Sequence, residues 1–151
     1  MPQPDPIDAA SGDCVFCRIV RRELPAEILY EDDTFVGILD INPIHYGHTL
    51  LIPRRHYEEF LDIPPADFRG LMQAAHRITG ALVESLDLEG YNVFSNNGRV
   101  AGQSVFHFHL HIVPRFRYDN IRLVHELRSY DPGELPQWGE RIRRHLSPSR
   151  S

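Results

Sequence analysis

Residues 104–115 read SVFHFHLHIVPR, which puts His107, His109 and His111 at every second position with apolar residues between them. Side chains of a strand alternate between faces at roughly 3.3 Å per residue. An extended chain here would therefore turn the three imidazoles one way, with Cα atoms about 6.6 Å apart. Phe106, Phe108, Leu110 and Ile112 would point the other way, into a core. Each imidazole needs a hydrogen-bond partner and titrates near neutrality, so a purely structural strand has little use for such a row. The face reads as a site. Three chemistries suit it: a shared metal ion, an acid–base relay, or attack of a neutral imidazole nitrogen on phosphorus to give a covalent nitrogen–phosphorus intermediate.

The residues just upstream favour a phosphorylated ligand. Gly98, Gly102, Gln103 and Ser104 make a flexible, donor-rich approach to the row, suited to contacts with phosphate oxygens. A second constellation lies near the start of the chain, where Cys14 and Cys17, the only two cysteines, stand in Cys-x-x-Cys spacing. Taken alone, this pair reads as a redox couple, half of a zinc site or two buried thiols. Two cysteines are too few to staple a secreted scaffold.

The elements that must position these residues follow from the apolar pattern. Segments 27–31 and 35–40 read as strands joined by the turn residues Asp32 and Asp33, and 49–53 (TLLIP) as a short buried third strand after the Asn42-Pro43 loop. Pro64 and Pro65 suit a helix start, and Phe68, Leu71, Ala75, Ile78 and Leu82 recur at helical spacing, which predicts one long helix over 65–86. Segments 91–95 and 104–113 complete about five strands, and a shorter helix is expected near 136–146. Strands grouped around one main helix with short connections imply an α+β domain with an antiparallel sheet. Residues 14–146 are expected to form a single domain, with a flexible leader at 1–13 and a frayed tail at 147–151.

Composition narrows the function classes. The chain has 151 residues, 42% hydrophobic and 25% charged, as expected of one folded soluble domain. A net charge of −5 argues against a sequence-independent grip on a nucleic-acid polymer. All 16 basic residues are arginines, so no lysine nucleophile or P-loop lysine exists. The first thirteen residues lack the basic start and apolar run of a signal peptide, and no stretch approaches the ~18 apolar residues of a membrane span. The expected compartment is the cytoplasm, with no membrane partner.

With these residues in view, the run GQSVFHFHLHIV resembles the signature of the histidine-triad (HIT) family, His-φ-His-φ-His-φ-φ with φ apolar. The likeness extends through CVFCRIVRRELPAEILYEDD, FVGILDINPIHYGHTLLIPRRH and YNVFSNNG, covers about residues 14–115, and is less clear over 116–146. The resemblance implies a HIT-like fold and a hydrolase or transferase acting at the α-phosphate of a purine nucleotide through a nucleotidyl-histidine. The implied substrate is a nucleoside phosphoramidate or a dinucleoside polyphosphate. By the same resemblance His109 is the nucleophile, His111 and His48 contact phosphate or leaving-group atoms, and Ser104 lies beside the leaving group. Gln103 falls near the phosphate, Asp40 and Asn96 on the ribose side, and Ile38 and Ile41 beside the base. Related members hold a structural zinc with a cysteine pair and two histidines, which here implies Cys14, Cys17, His56 and His107, with no cofactor required for the chemistry. A homodimer is also implied. Two other readings stand beside this one: a non-catalytic nucleotide-binding adaptor, and a metallohydrolase with a catalytic zinc on all three triad histidines.

Overall fold

The computed structural model describes residues 13–146; the rest of the expected leader and the tail at 147–151 lie outside the described residues. Its main element is one five-stranded antiparallel sheet with strand order β1-β2-β3-β5-β4. The strands are β1 (Ile28–Glu31), β2 (Phe35–Leu39), β3 (Thr49–Pro53), β4 (Gly90–Phe94) and β5 (Leu110–Arg115). The helices are α1 (Val15–Val20), α2 (Phe68–Leu86) and α3 (Glu134–Arg143). The α+β fold and its antiparallel sheet are those expected from the sequence.

Burial on both faces explains the uninterrupted apolar run of β3, all five of whose residues are buried. Leu51, together with Phe35, Leu110 and Ile112, packs against the Leu71, Ala74, Ala75, Ile78 and Leu82 stripe of α2. Leu50 and Ile52, with Val36 and Ile38, face the other way and pack against Phe16 and Ile19 of α1. Gly37 permits the close approach of α2: a Cβ there would lie 2.9 Å from Ile78 Cδ1. Pro64 and Pro65 open a 3-10 turn (Pro65–Asp67) that leads directly into α2, so the expected long helix begins three residues late as true α-helix.

The largest departure from expectation lies at the histidine row. The strand does not begin at residue 104 but at Leu110, so His111 alone of the three triad histidines belongs to β5. Residues 105–109 are irregular and are held by specific ties instead of a ladder, among them the Phe108 N–H to the Tyr57 carbonyl at 2.6 Å. Phe108, Leu110 and Ile112 do enter the core, whereas Phe106 lies under the Arg99 guanidinium, 5.0 Å from its ring centre. Helix α1 was not expected. Its apolar positions Val15, Phe16, Ile19 and Val20 follow helical spacing, but six residues are too few to stand out as a pattern.

A second compact unit runs from Ile121 onward. Its regular element is α3, which begins two residues before the expected helix and ends three before it, with Leu135, Trp138 and Ile142 spaced along one stripe. No helix among the described residues is long and apolar enough to cross a membrane.

Candidate functional site

Antiparallel register builds the floor of the site. Ile38 of β2 pairs with Leu50 of β3, Leu50 pairs with His111 of β5, and His111 pairs with Phe94 of β4. Directly opposed residues share a face, so these side chains form one row across four strands on the α1 side of the sheet. The Phe94 ring stacks on His111 with centroids 4.7 Å apart and planes 15° apart. Above this row opens a cavity of about 550 Å³ lined by Ile38, Asp40, Ile41, Ser104, His109 and His111, with Val15, Phe16 and Ile19 of α1 as a wall. Cavities of comparable size, about 640 and 580 Å³, lie along α2, but neither contains a histidine beside a second one.

Backbone groups fix which ring nitrogen carries the proton. The nearest partner of His109 Nδ1 is the carbonyl of His107 at 2.8 Å. A carbonyl only accepts, so Nδ1 is the protonated nitrogen and Nε2 keeps a lone pair. At His48 the sense is reversed: the Ile44 amide donates to Nδ1 at 3.0 Å, so the neutral ring carries its hydrogen on Nε2. That Nε2–H donates to His111 Nδ1 at 2.9 Å, which places the His111 hydrogen on Nε2. This Nε2 is buried and has no hydrogen-bond partner. An orphaned buried donor costs about 1–3 kcal/mol, so this N–H is the group here with most to gain from an acceptor.

Burial keeps the His111 and His48 rings neutral. Desolvation pushes His111 down to about 4, with the nearby His109 and His48 adding to the shift. It likewise lowers His48, although the carboxylate of Asp40 opposes the shift. Asp40 Oδ2 lies 3.6 Å from His48 Nδ1, too far for a hydrogen bond, and Oδ1 accepts the Asn42 amide at 2.8 Å to shape the turn. Asp40 therefore both forms the turn and lines the cavity.

The other polar residues expected here separate. Ser104 is exposed and lines the cavity. Gln103 is buried and committed to backbone: its Nε2 donates to the Glu58 carbonyl at 2.6 Å and the Val105 carbonyl at 3.1 Å, and its Oε1 accepts the Gly98 amide at 2.8 Å. It braces the loop instead of facing the cavity. Asn96 lies beside Gly102, outside the cavity lining. Gly98 and Gly102 both adopt positive φ, at 85° and 92°, around the 3-10 turn Arg99–Ala101, which explains glycine at both ends.

The second cluster gathers Cys14, Cys17, His56 and His107, whose ligand atoms all lie within 4.8 Å of one another. Cys14 caps α1 and Cys17 lies on its first turn, so the x-x spacing brings both thiols to one side. Both sulfurs lie 3.4 Å from His107 Nδ1, and Cys17 Sγ lies 3.3 Å from His56 Nδ1. His107 Nε2 donates to the Pro53 carbonyl at 2.9 Å, which leaves Nδ1 unprotonated and aimed at the sulfurs. Burial also pushes His107 down to about 4. Two thiols and two imidazole nitrogens, with one ring oriented through its far N–H, are the donor set and outer support that tetrahedral zinc requires. The residues fit the metal.

The same geometry overturns the expectation that His107, His109 and His111 could share one catalytic zinc. The His107 ring faces the cysteines and Pro53, and His109 Nδ1 is held by a carbonyl, so the three rings share no metal position. The remaining ligand-type group among the described residues is Asp40, His48 and His111, and there the facing nitrogens are joined by a hydrogen bond. Sequence reasoning missed Phe16, Val15 and Ile19 as cavity wall, Phe94 as the ring under His111, and the Ile44 amide and Pro53 carbonyl that set tautomers.

Comparison with known proteins gives the family and the fold. The HIT domain family matches residues 21–118. An uncharacterized HIT-like protein of Methanocaldococcus jannaschii is 43% identical over 81% of this chain and 95% of its own length. An adenylylsulfatase of Arabidopsis thaliana is 39% identical over 89% of this chain and 70% of its own. An adenosine 5'-monophosphoramidase of Saccharomyces cerevisiae is 38% identical over 76% and 68%. Among solved structures, a HIT family member from Bacillus subtilis superposes with a TM-score of 0.85, 34% identity and coverage of 91% and 99%. A Zn-bound histidine triad family protein from Mycobacterium smegmatis gives 0.70, 40% identity and coverage of 87% and 99%.

Proposed function

The chain belongs to the HIT family, and from that premise we propose that it hydrolyses or transfers a nucleotide at its α-phosphate, with His109 as nucleophile. The observation that carries the reading is the lock on His109: its Nδ1–H is held by the His107 carbonyl, so the lone pair of Nε2 is available in a cavity large enough for a nucleotide. Attack by Nε2 forms a nitrogen–phosphorus bond as the bond from phosphorus to the leaving group breaks. The ring then becomes cationic, and its hydrogen bond to the carbonyl strengthens. The orphaned Nε2–H of His111 donates to an oxygen or nitrogen on which negative charge develops. Water next attacks phosphorus, the nitrogen–phosphorus bond breaks, Nε2 recovers its lone pair, and the proton that the water loses passes to solvent, which supplies the one an amine leaving group takes up. Ile38 and Ile41 offer apolar surface for a purine base, and Asp40 a carboxylate for ribose hydroxyls.

The leaving group divides the substrate class. Relatives named for a phosphoramidase and for an adenylylsulfatase both have adenylyl substrates, which supports an adenosine 5'-phosphoryl compound whose leaving group is an amine or the oxyanion half of a mixed anhydride, such as phosphate. A zinc held by Cys14, Cys17, His56 and His107 would have a structural role, tying α1 to the residues before β5. Incubating the protein with adenosine 5'-phosphoramidate and a dinucleoside polyphosphate, then trapping in acid-free denaturant, should yield one adenylyl group on the peptide containing His109. A labelled peptide lacking His109 would displace it as nucleophile, and binding without turnover of any substrate would favour an adaptor.

A homodimer is part of the same reading. Strand β4 ends the sheet, and its Tyr91 and Val93 are exposed at 51% and 45% on an edge open to further pairing. Light scattering at micromolar concentration should give twice the 17.5 kDa chain mass. A monomer would contradict it.

A further inference from the structure

One short helix carries residues of both clusters. Cys14 and Cys17 of the α1 turn face His107 Nδ1, while Val15 and Phe16 between them, and Ile19 after them, line the cavity that holds His109. The Phe16 ring lies edge-on to both imidazoles, 5.7 Å from His107 and 5.2 Å from His109. His107 is itself divided between the two sites. Its ring belongs to the cysteine cluster, while its carbonyl holds the Nδ1–H of His109. Two independent links, an aromatic contact and a backbone hydrogen bond, thus join the metal cluster to the nucleophile.

Resting on the nucleotide and zinc readings above, we propose that Cys14, Cys17, His56 and His107 form a positioning device whose zinc occupancy tunes the nucleotide cavity. Zinc and a nucleoside 5'-phosphate then bind with positive cooperativity. Helix α1 has six residues, too few to be stable by itself. Residues 105–109 likewise have no ladder to hold them. Zinc orders both segments at once, fixing the Phe16 wall and the His109 ring. In the stripped protein the nucleotide must supply that ordering itself, and its affinity falls accordingly. Linkage requires the reciprocal effect: bound nucleotide raises zinc affinity by the same factor. The cysteines act through other residues, so they are positioning residues and not catalytic ones.

The test measures AMP affinity of the full-length protein, zinc-loaded and chelator-stripped under reducing conditions, by calorimetry, with circular dichroism to compare folding. The expected result is binding at least about fivefold weaker in the stripped protein. Saturating AMP should raise zinc affinity equally in competition against a chromogenic chelator. Free AMP is itself a weak zinc ligand and would lower retention, so a rise is not produced by that route. Phe16→Leu keeps all four ligands but removes the ring link. It should still bind about one zinc per chain while the coupling factor falls below that of the parent, the His107 carbonyl link to His109 remaining. Should stripping unfold the chain, the zinc competition in the parent decides, and zinc affinity that AMP leaves unchanged overturns the proposal. Equal AMP affinity in folded loaded and stripped protein also overturns it, with the nucleotide reading intact. AMP binding to neither form overturns it through that reading instead, whatever zinc is found.

Discussion

The two histidine clusters use the same side chain for opposite ends. Around Cys14, Cys17, His56 and His107, the His107 proton is drawn away to Pro53, and an unprotonated nitrogen meets two sulfurs. Around Asp40, His48 and His111, each facing pair of nitrogens is one donor and one acceptor, in a chain that starts at the Ile44 amide. The first arrangement gathers two sulfurs and two imidazole nitrogens within 4.8 Å of one another and suits a cation. The second is already satisfied internally and ends on a single N–H with no acceptor, which suits an anionic ligand. His109 lies between them, held by a carbonyl from one cluster and 4.8 Å from a ring of the other. The difference teaches that imidazole chemistry here is assigned by the backbone group on the far nitrogen, because that contact selects the tautomer.

Removing the residue between the clusters should have the largest effect. His109→Ala is expected to lower kcat by more than about 10³-fold while nucleotide affinity stays within about tenfold, or ~1.4 kcal/mol. Single-turnover kinetics and calorimetry check it, and retention of a tenth of the parent rate would falsify the nucleophile assignment. His111→Gln, which breaks the hydrogen-bonded chain but leaves the cysteine cluster untouched, should lower kcat by about 10²-fold. Zinc content should not change, as read by elemental analysis; a loss of metal in this variant would erase the distinction between the clusters.

The converse substitution sharpens the comparison. Cys17→Ser should lower zinc below one per chain and drop Tm by roughly 5 °C or more, at about 2–4 °C per kcal/mol for a domain of this size. The fraction that stays folded should keep some turnover. Parent protein that is reduced, folded, active and free of zinc would return both cysteines to the role of buried thiols.

The smallest effect is on pH dependence. His111 is depressed from 6.5 to about 4 in the folded chain, and His48 is lowered too. The unfolded chain therefore binds more protons below pH 6.5 than the folded one does. The stability these neutral rings contribute is complete above 6.5, falls as pH drops from there, and levels off below about 4. Denaturant titrations over this window should show a shallower slope for His111→Gln than for the parent. Equal slopes would mean that His111 is not held neutral by burial.

Much of the fold and part of the site are legible in the residues alone. The TLLIP run of β3, the α2 stripe from Phe68 to Leu82 and the turn at Asp32 follow from local rules of burial and periodicity, and the structure has each. The His-x-His-x-His and Cys-x-x-Cys spacings likewise pointed to chemistry before any fold was known, because such groups are costly to gather without a use. Strand alternation nevertheless misassigned the histidine row. The segment 105–109 is not paired, and period-two spacing describes side-chain direction only where a ladder enforces it.

Gln103 shows the same limit: its sequence position suggests phosphate, while three backbone contacts, to nearby Gly98 and Val105 and to distant Glu58, use up its amide. Sequence by itself thus determined which side chains are present, their local spacing and the apolar faces that build the sheet. Only the tertiary structure decided that His107 joins Cys14 and Cys17, that His48 hands a hydrogen to His111, and that Phe16 walls the cavity. Those choices depend on pairs 93 and 63 residues apart for the two histidine contacts. Long-range packing and the position of single carbonyls and amides set them, and no local pattern encodes either.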